Sequence, residues 1–318
     1  MLCAGGLSPR RFFGVPGCYR FLAMTRSAQA RSDNRRFASG IAVGLALLAA
    51  LLALPGCATM GNPPASDVDS PLDATSQSNL TSLSEVIEKH PDDPQAYNMR
   101  GSVFGEAGRN AEALADFDKA VSLDPNYAQA YANRALIYRK TNRLDLALAD
   151  DNKALAIDAN YVPAYLGRGI VYREQGRSSQ ALSDFNKAIA LRPNNAEAYY
   201  NRGLLYQSEG QHQFAVDDLS TAIGLANQKD EPYVARALSY LALGSNKSAA
   251  DDLDQAVQLN PLDLRAWTSR GLAYERLGEK DKAAGSYAKA LNISDKYEPA
   301  QTGFARVGGK VGQTYPTF

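Results

Sequence analysis

YLGRGIVY, at residues 165–172, belongs to a pattern that decides the fold of this chain. Related octapeptides start with an aromatic residue, carry arginine at their fourth position, and recur every 34 residues without an insertion. They are YNMRGSVF at 97, YANRALIY at 131, YYNRGLLY at 199, YVARALSY at 233 and WTSRGLAY at 267. A fixed period of this length indicates a solenoid of stacked helical units.

Each octapeptide has the spacing of an amphipathic helix. Tyr165, Gly169 and Tyr172 illustrate it, because residues four and three positions apart share one helix face. A second helix follows, with alanines seven positions apart such as Ala181 and Ala188, and these let the two helices approach closely. The residues predicted to end the first helices in the left-handed conformation are Gly108, Asn142, Gly176, Gly210, Gly244 and Gly278.

This pattern resembles the tetratricopeptide repeat from Pro94 to Tyr297. The resemblance implies an all-α fold, a right-handed solenoid of six helix-turn-helix repeats. A capping helix is expected at each end, because an end repeat otherwise exposes its apolar seam. The expected segments are an N-terminal cap at 80–93, repeats at 94–127, 128–161, 162–195, 196–229, 230–263 and 264–297, and a C-terminal capping helix and tail at 298–318.

The region before the repeats has the composition of an export signal. Arginines precede an apolar run from Ile41 to Leu54, which is shorter than the roughly 20 residues that span a membrane. The run ends in Leu54-Pro55-Gly56-Cys57, which resembles a bacterial lipobox. The resemblance implies a signal peptide at 1–57 and a lipoprotein whose Cys57 carries diacylglycerol and an acyl chain such as palmitate. The alternative is an uncleaved anchor in which Cys57 is incidental.

Two further expectations concern this region. Residues before Met24 show no helix or strand periodicity, so translation is expected to start at Met24. Residues 58–79 are rich in Ser, Pro, Asp, Asn and Gly, which predicts a flexible tether. Ala58 follows the lipidated cysteine, and by resemblance to enteric lipoproteins it favours the outer membrane over the inner membrane.

Composition narrows the classes of function. After residue 57 the chain holds 27 basic and 33 acidic residues, a net charge of about −6, which argues against a nucleic-acid partner. The cysteines are Cys3, Cys18 and Cys57, so none remains in the repeats for a disulfide or a metal site. With only His90 and His212 and no phosphate loop, no catalytic residue, metal site or cofactor is expected.

The binding surface is expected along the first helices, which line the concave side of this architecture. Amides can pair with the backbone of an extended segment while apolar positions accept its side chains. The alternative is that Leu136, Ile170 and Leu204 only pack between neighbouring first helices. The predicted groove residues are Asn98, Asn133, Leu166, Ile170, Tyr200, Asn201, Leu204 and Val234.

A periodic set of charges accompanies the repeats. We expect a structural ladder of ion pairs, and the alternative is a row of free arginines that binds anions. The arginines are Arg100, Arg134, Arg168, Arg202 and Arg236, with Arg270 in the sixth repeat, and the acids are Asp116, Asp150, Asp184, Asp218 and Asp252, with Ser286 in the sixth.

A lipobox joined to these repeats resembles the NlpI-type lipoproteins. That resemblance implies a scaffold in the cell envelope, facing the periplasm, that gathers envelope proteins such as peptidoglycan hydrolases and proteases. The alternative within the same class is a pilus or secretion-system assembly lipoprotein, of pilotin or Tad type. An enzyme is the less favoured class, and the sequence leaves homodimer formation open.

Overall fold

The computed structural model describes residues 71–310 and 312–316 of the chain. Met24, Cys57 and the apolar run therefore lie outside the described residues. All regular structure within those ranges is α-helical. None of these helices combines the length and the apolar character needed to cross a membrane.

The helices are described in chain order. They are α1 (Pro71–Lys89), α2 (Pro94–Glu106), α3 (Asn110–Leu123), α4 (Ala128–Lys140), α5 (Leu144–Ile157), α6 (Val162–Glu174), α7 (Ser178–Leu191), α8 (Ala196–Ser208), α9 (His212–Leu225), α10 (Glu231–Ala242), α11 (Asn246–Leu259), α12 (Leu264–Arg276), α13 (Lys280–Ile293) and α14 (Glu298–Arg306).

The helices follow the 34-residue period of the sequence. The second helices of the six repeats, α3, α5, α7, α9, α11 and α13, begin at intervals of 34 residues. The first helices keep the same interval, except that α10 begins one residue late. Helix α10 begins at Glu231, although Asp230 already has helical backbone angles of φ −75° and ψ −32°. Each helix packs against the next, and each first helix also contacts the first helix of the following repeat. The result is a six-repeat solenoid with first helices along one side.

The turns inside the repeats all end the first helix with the same backbone conformation and the same hydrogen bond. The predicted residues have positive φ, from 70° to 80° at the five glycines and 56° at Asn142. In the third repeat the amide of Arg177 donates to the carbonyl of Tyr172 at 2.8 Å, and the same bond recurs in the other repeats. This is the closing bond of a Schellman turn, which satisfies carbonyls at the helix end.

Inside most repeats, a large side chain of the second helix lies on a glycine of the first. A Cβ added at Gly169 would lie 2.7 Å from the Phe185 ring, so only glycine allows this approach. The equivalent pairs are Gly101 with Phe117, Gly203 with Leu219, and Gly271 with Tyr287. The second repeat has Ala135 and Asp151 at these positions, and the fifth has Ala237 and Leu253.

Both ends of the array are covered. Helix α1 buries Leu80 and Ile87, and it begins at Pro71, nine residues before the predicted start and within the predicted tether. Proline is favoured in the first turn of a helix, and residues 72–79 contain no glycine or proline to end it. At the other end the predicted tail folds back, since the Tyr315 ring meets the Phe304 ring edge-on at 5.8 Å.

The periodic arginines lie between helices. In five repeats the arginine Nε and Nη2 atoms donate to both carboxylate oxygens of an aspartate sixteen residues later, at 2.6 to 2.8 Å. Their guanidinium groups are thus occupied by carboxylates, which leaves no row of open arginines for anions. The five pairs are Arg100–Asp116, Arg134–Asp150, Arg168–Asp184, Arg202–Asp218 and Arg236–Asp252.

The same arginines also connect successive repeats. Arg168 Nη1 donates to Asn152 Oδ1 on the preceding second helix at 2.7 Å, and its guanidinium lies between the rings of Tyr165 and Tyr172. Sixteen residues before each of the other four arginines lies an equivalent acceptor, which is Ser84, Asp118, Asn186 or Ser220. In the sixth repeat, buried Arg270 bonds Asp254 and Ser286 instead.

The left-handed turns predict opposite effects for two Gly→Ala substitutions. Gly176→Ala should cost about 1–2 kcal/mol of stability, because a Cβ disfavours its φ of 70°. Gly224→Ala should gain up to about 1 kcal/mol, because Gly224 is helical and a Cβ there has open space. Urea unfolding followed by circular dichroism measures both. Equal shifts in the same direction would contradict this account.

The ion-pair geometry predicts strong coupling between Arg168 and Asp184. A double-mutant cycle with alanine at each position should give an interaction free energy of about 1–3 kcal/mol, because either single variant leaves a largely buried charge without its partner. The matched control is the exposed pair Lys247–Asp251, whose coupling should be much smaller. Additive effects of the Arg168 and Asp184 variants would show that the ladder does not stabilise the array.

Candidate partner-binding groove

The successive first helices line a groove with two adjoining cavities. One cavity of about 270 Å³ lies among α4, α5, α6 and the start of α8. A second of about 320 Å³ lies among α4, α6, α8, the end of α9 and the start of α10. Arg139, Ile170 and Glu197 line both, so the cavities are neighbours on the same side of the array. Concave surfaces of this kind are where solenoid proteins bind their ligands.

Five of the eight predicted groove residues are buried rather than exposed. Leu166 and Ile170 belong to the core cluster around Phe185, and Val234 belongs to the core cluster around Leu253. They pack there because neighbouring first helices contact each other along the array. This agrees with the packing alternative for Ile170, although edges of Leu166 and Ile170 still line the first cavity. The buried set is Asn98, Leu166, Ile170, Asn201 and Val234.

The buried amides are used inside the protein. Asn98 donates to the Tyr127 hydroxyl at 3.2 Å and accepts from Asn133 Nδ2 at 2.9 Å. Asn133 Nδ2 also donates to Ser102, and Asn201 donates to the carbonyl of Glu197 at 2.9 Å. Asn98 and Asn133 therefore link the first two repeats, whereas Asn201 bonds within its own helix.

Two of the three half-buried predicted residues line the cavities. Asn133 lines the first cavity and Tyr200 the second, and Leu204 packs against the core cluster around Leu219. Burial raises the pKa of the Tyr200 phenol, so it is a neutral hydrogen-bonding group at pH 7. Leu136, which the packing alternative placed between helices, is 42% exposed at the first cavity.

Charged groups of the groove were missed by the sequence analysis. Arg139 Nη1 lies 3.4 Å from Glu174 of the next repeat, at the border of the two cavities. Arg173 lines the second cavity, and burial lowers the pKa of its guanidinium. Both arginines occupy the same position of consecutive repeats, which was the available signal. The described residues contain no cluster of His, Cys, Asp and Glu side chains that could hold a metal ion.

Asp151 was also missed. It is 2% exposed, lines the first cavity, and forms no hydrogen bond or ion pair with any described residue. Burial raises the pKa of its carboxyl to about 8. Its signal in the sequence was a break in the repeat, because the equivalent position elsewhere is always large and apolar: Phe117, Phe185, Leu219, Leu253 and Tyr287.

Comparison with protein-family models supports the repeat pattern. Models described as TPR repeat or tetratricopeptide repeat match residues 101–141, 128–161, 169–210, 196–229 and 234–299, which together exceed half of the chain. No curated protein matches the sequence.

Solved structures share the fold. The structures that superpose on this chain include one from the APC/C hetero-tetramer Cut9-Hcn1, with a TM-score of 0.66 and 18% identity. They also include Pseudomonas aeruginosa pilF, with a TM-score of 0.61 and 20% identity, and a Parabacteroides merdae tetratricopeptide repeat protein, with a TM-score of 0.54 and 21% identity. The matches cover 73%, 67% and 75% of this chain, and 46%, 97% and 98% of those chains, respectively. This chain thus spans less than half of the Cut9-Hcn1 chain.

Tetratricopeptide repeats are typically non-enzymatic scaffolds for protein–protein interaction, and extended concave surfaces serve that purpose. The family models, the shared fold and the 34-residue helix pairs agree with one another. The chain is therefore a member of the tetratricopeptide repeat family.

Proposed function

We propose that this chain is a non-enzymatic scaffold of the bacterial cell envelope that binds segments of partner proteins along its first helices. The observation that carries the binding role is the pair of adjoining cavities, where apolar Leu136 and Ile170 lie beside Tyr200 and charged Arg139 and Glu197. Such a mixture suits an extended segment, because apolar walls accept side chains while polar groups set its register.

The envelope location follows from the lipobox-like residues before Cys57. Lipidation there attaches the protein to the membrane, with the repeats facing the periplasm and the outer membrane favoured. Resemblance to NlpI-type lipoproteins suggests peptidoglycan hydrolases or proteases as the partners that it gathers. A net charge of about −6 after residue 57 supports protein rather than nucleic-acid partners.

Lipidation is tested by labelling cells with an alkyne analogue of palmitate. The natural chain should be labelled and recovered with membranes, and Cys57→Ser should abolish both. Ala58→Ser is the matched control, because it changes the residue next to the cysteine and keeps the cysteine itself, and it should leave labelling unchanged. Labelling that survives Cys57→Ser would refute the lipoprotein assignment.

Partner binding is tested by photo-crosslinking in cells at two leucines of similar exposure. Leu136 on α4 is 42% exposed at the first cavity, whereas Leu146 on α5 is 46% exposed away from it. A photoreactive residue at 136 should capture envelope proteins at least tenfold more efficiently than one at 146, with mass spectrometry identifying them. Equal capture at both positions, or capture of cytosolic proteins alone, would contradict the proposal.

A further inference from the structure

Two departures from the repeat pattern face each other at one place in the array. Asp151 on α5 replaces the large apolar side chain that every other repeat carries there. Gly167 on α6 occupies the middle of a helix, at a position where no other repeat has glycine. A Cβ at residue 167 would lie 2.8 and 3.0 Å from the two carboxylate oxygens of Asp151. The glycine therefore makes the space that this carboxylate occupies.

Both departures are expected to lower the stability of the fold, so a role in stabilising the fold does not explain them. Glycine inside a helix weakens it, and a buried carboxylate without a partner is costly to desolvate. The fifth repeat shows the apolar solution for the same backbone, because Ala237 and Leu253 stand where the second repeat has Ala135 and Asp151. Ala135 and Asp151, the counterparts of the glycine and the large side chain that pack together in most repeats, both line the cavity of about 270 Å³.

The walls of the cavity define what fits it. Asp151 provides one anionic group, and the surrounding side chains of Leu136, Leu166, Ile170 and Val171 are apolar. A ligand that matches needs a positively charged head on a slender aliphatic stem. Asp151 turns both oxygens toward Gly167, so a compact ammonium suits it better than the planar fork of a guanidinium, which prefers a bidentate face.

Charges near Asp151 do not already satisfy it. On its own helix Asp150 pairs with Arg134, and on neighbouring helices Arg168 pairs with Asp184 and Arg139 with Glu174. Arg192 and Glu197 of opposite charge lie at the edge of the cavity. The buried carboxylate is therefore the negative group available to a ligand inside the cavity.

We propose that this cavity is an anchor pocket for a lysine side chain of a partner segment lying in the groove, with the ammonium bound by Asp151. The proposal rests on the proposed scaffold function and specifies the partner's chemistry. The aliphatic stem packs on the apolar walls, and the ammonium restores a partner to the desolvated carboxylate.

The pocket is tested on the purified chain with n-butylammonium chloride, a mimic of the lysine side chain. Methyl NMR should show saturable shifts of Ile170 and Val171. Binding uses the ionised carboxyl, whose pKa is about 8 in the folded protein, so apparent affinity should rise about tenfold from pH 7 to pH 9. Shifts that are absent, or that have the same affinity at both pH values, would overturn the proposal.

Variants separate the carboxylate from the rest of the cavity. Asp151→Asn should abolish saturable binding, while Asp145→Asn, an exposed aspartate on the same helix, should leave it unchanged. Neutral n-butanol should produce no pH-dependent shifts. If butyrate binds instead, more weakly as pH rises, the protonated carboxyl acts as a donor to an anion and the lysine assignment is wrong.

Stability provides a readout that needs no ligand. Because the folded pKa of Asp151 is raised to about 8, its destabilising effect is absent below about pH 4, grows between pH 4 and pH 8, and is complete above pH 8. The gain in thermal midpoint from Asp151→Asn should thus be larger at pH 8.5 than at pH 5. Asp151→Leu should raise the midpoint by several degrees and remove butylammonium binding, and a destabilised Asp151→Leu variant would contradict the pocket's origin.

The same variants distinguish this proposal from the scaffold function. Photo-crosslinking from residue 136 should lose at least tenfold in capture of its envelope partner in Asp151→Leu. Replacement of the lysines of that partner's crosslinked segment should have the same effect. Undiminished capture in Asp151→Leu would refute the lysine pocket and leave the scaffold standing, whereas absence of capture by the natural chain would refute the scaffold.

Discussion

Each arginine of the periodic set holds three helices together, and the stacking of the repeats depends on this contact. Arg168 lies on α6, forms two bonds with Asp184 on α7, and reaches back with its remaining nitrogen to Asn152 on α5. The side chain thus belongs to two repeats at once. A largely buried guanidinium is tolerated only when its donors are used, so each repeat requires its neighbour.

The hydrophobic core is arranged around the same spacing. Glycine on the first helix lets a ring such as Phe185 lie against the backbone, and alanines such as Ala181 let the second helix come close. Helix α1 continues the scheme, because its Ser84 accepts from Arg100 at the place of a preceding second helix. At the far end α14 and the folded-back Tyr315 replace the missing neighbour.

The second repeat exchanges part of this core for a cavity. Asp151 is smaller than the side chains found at its position in other repeats, and it lines the cavity of about 270 Å³ together with residues of α4 and α6. The side chains that line the groove therefore differ from one repeat to the next, although the helices of the repeats are regularly spaced. The proposed pocket therefore uses positions that depart from the repeat, whereas the periodic arginines and aspartates hold the array together.

Most of the fold could be read from periodicity. Helix positions and left-handed turn residues depend on spacings within one repeat, which are local and recur in all six copies. The register of Arg168 with Asp184 is equally local and recurs in five of the six repeats. The replacement of a large apolar residue by Asp151 was equally visible in the sequence as a break in that pattern. The contact that Asp151 makes in the folded chain was not. Its carboxylate meets Gly167 only after α5 and α6 have packed against each other.

The candidate groove depended much more on tertiary structure. Ile170 stands at the same repeat position as exposed Leu136, and Asn98 stands one helical turn earlier in its own repeat, yet contacts between repeats bury Ile170 and Asn98. The early start of α1 and the return of the tail onto Phe304 were likewise undetermined by periodicity. A repeating sequence specifies which residues share a helix face, whereas the packing of neighbouring repeats decides how much of that face stays accessible.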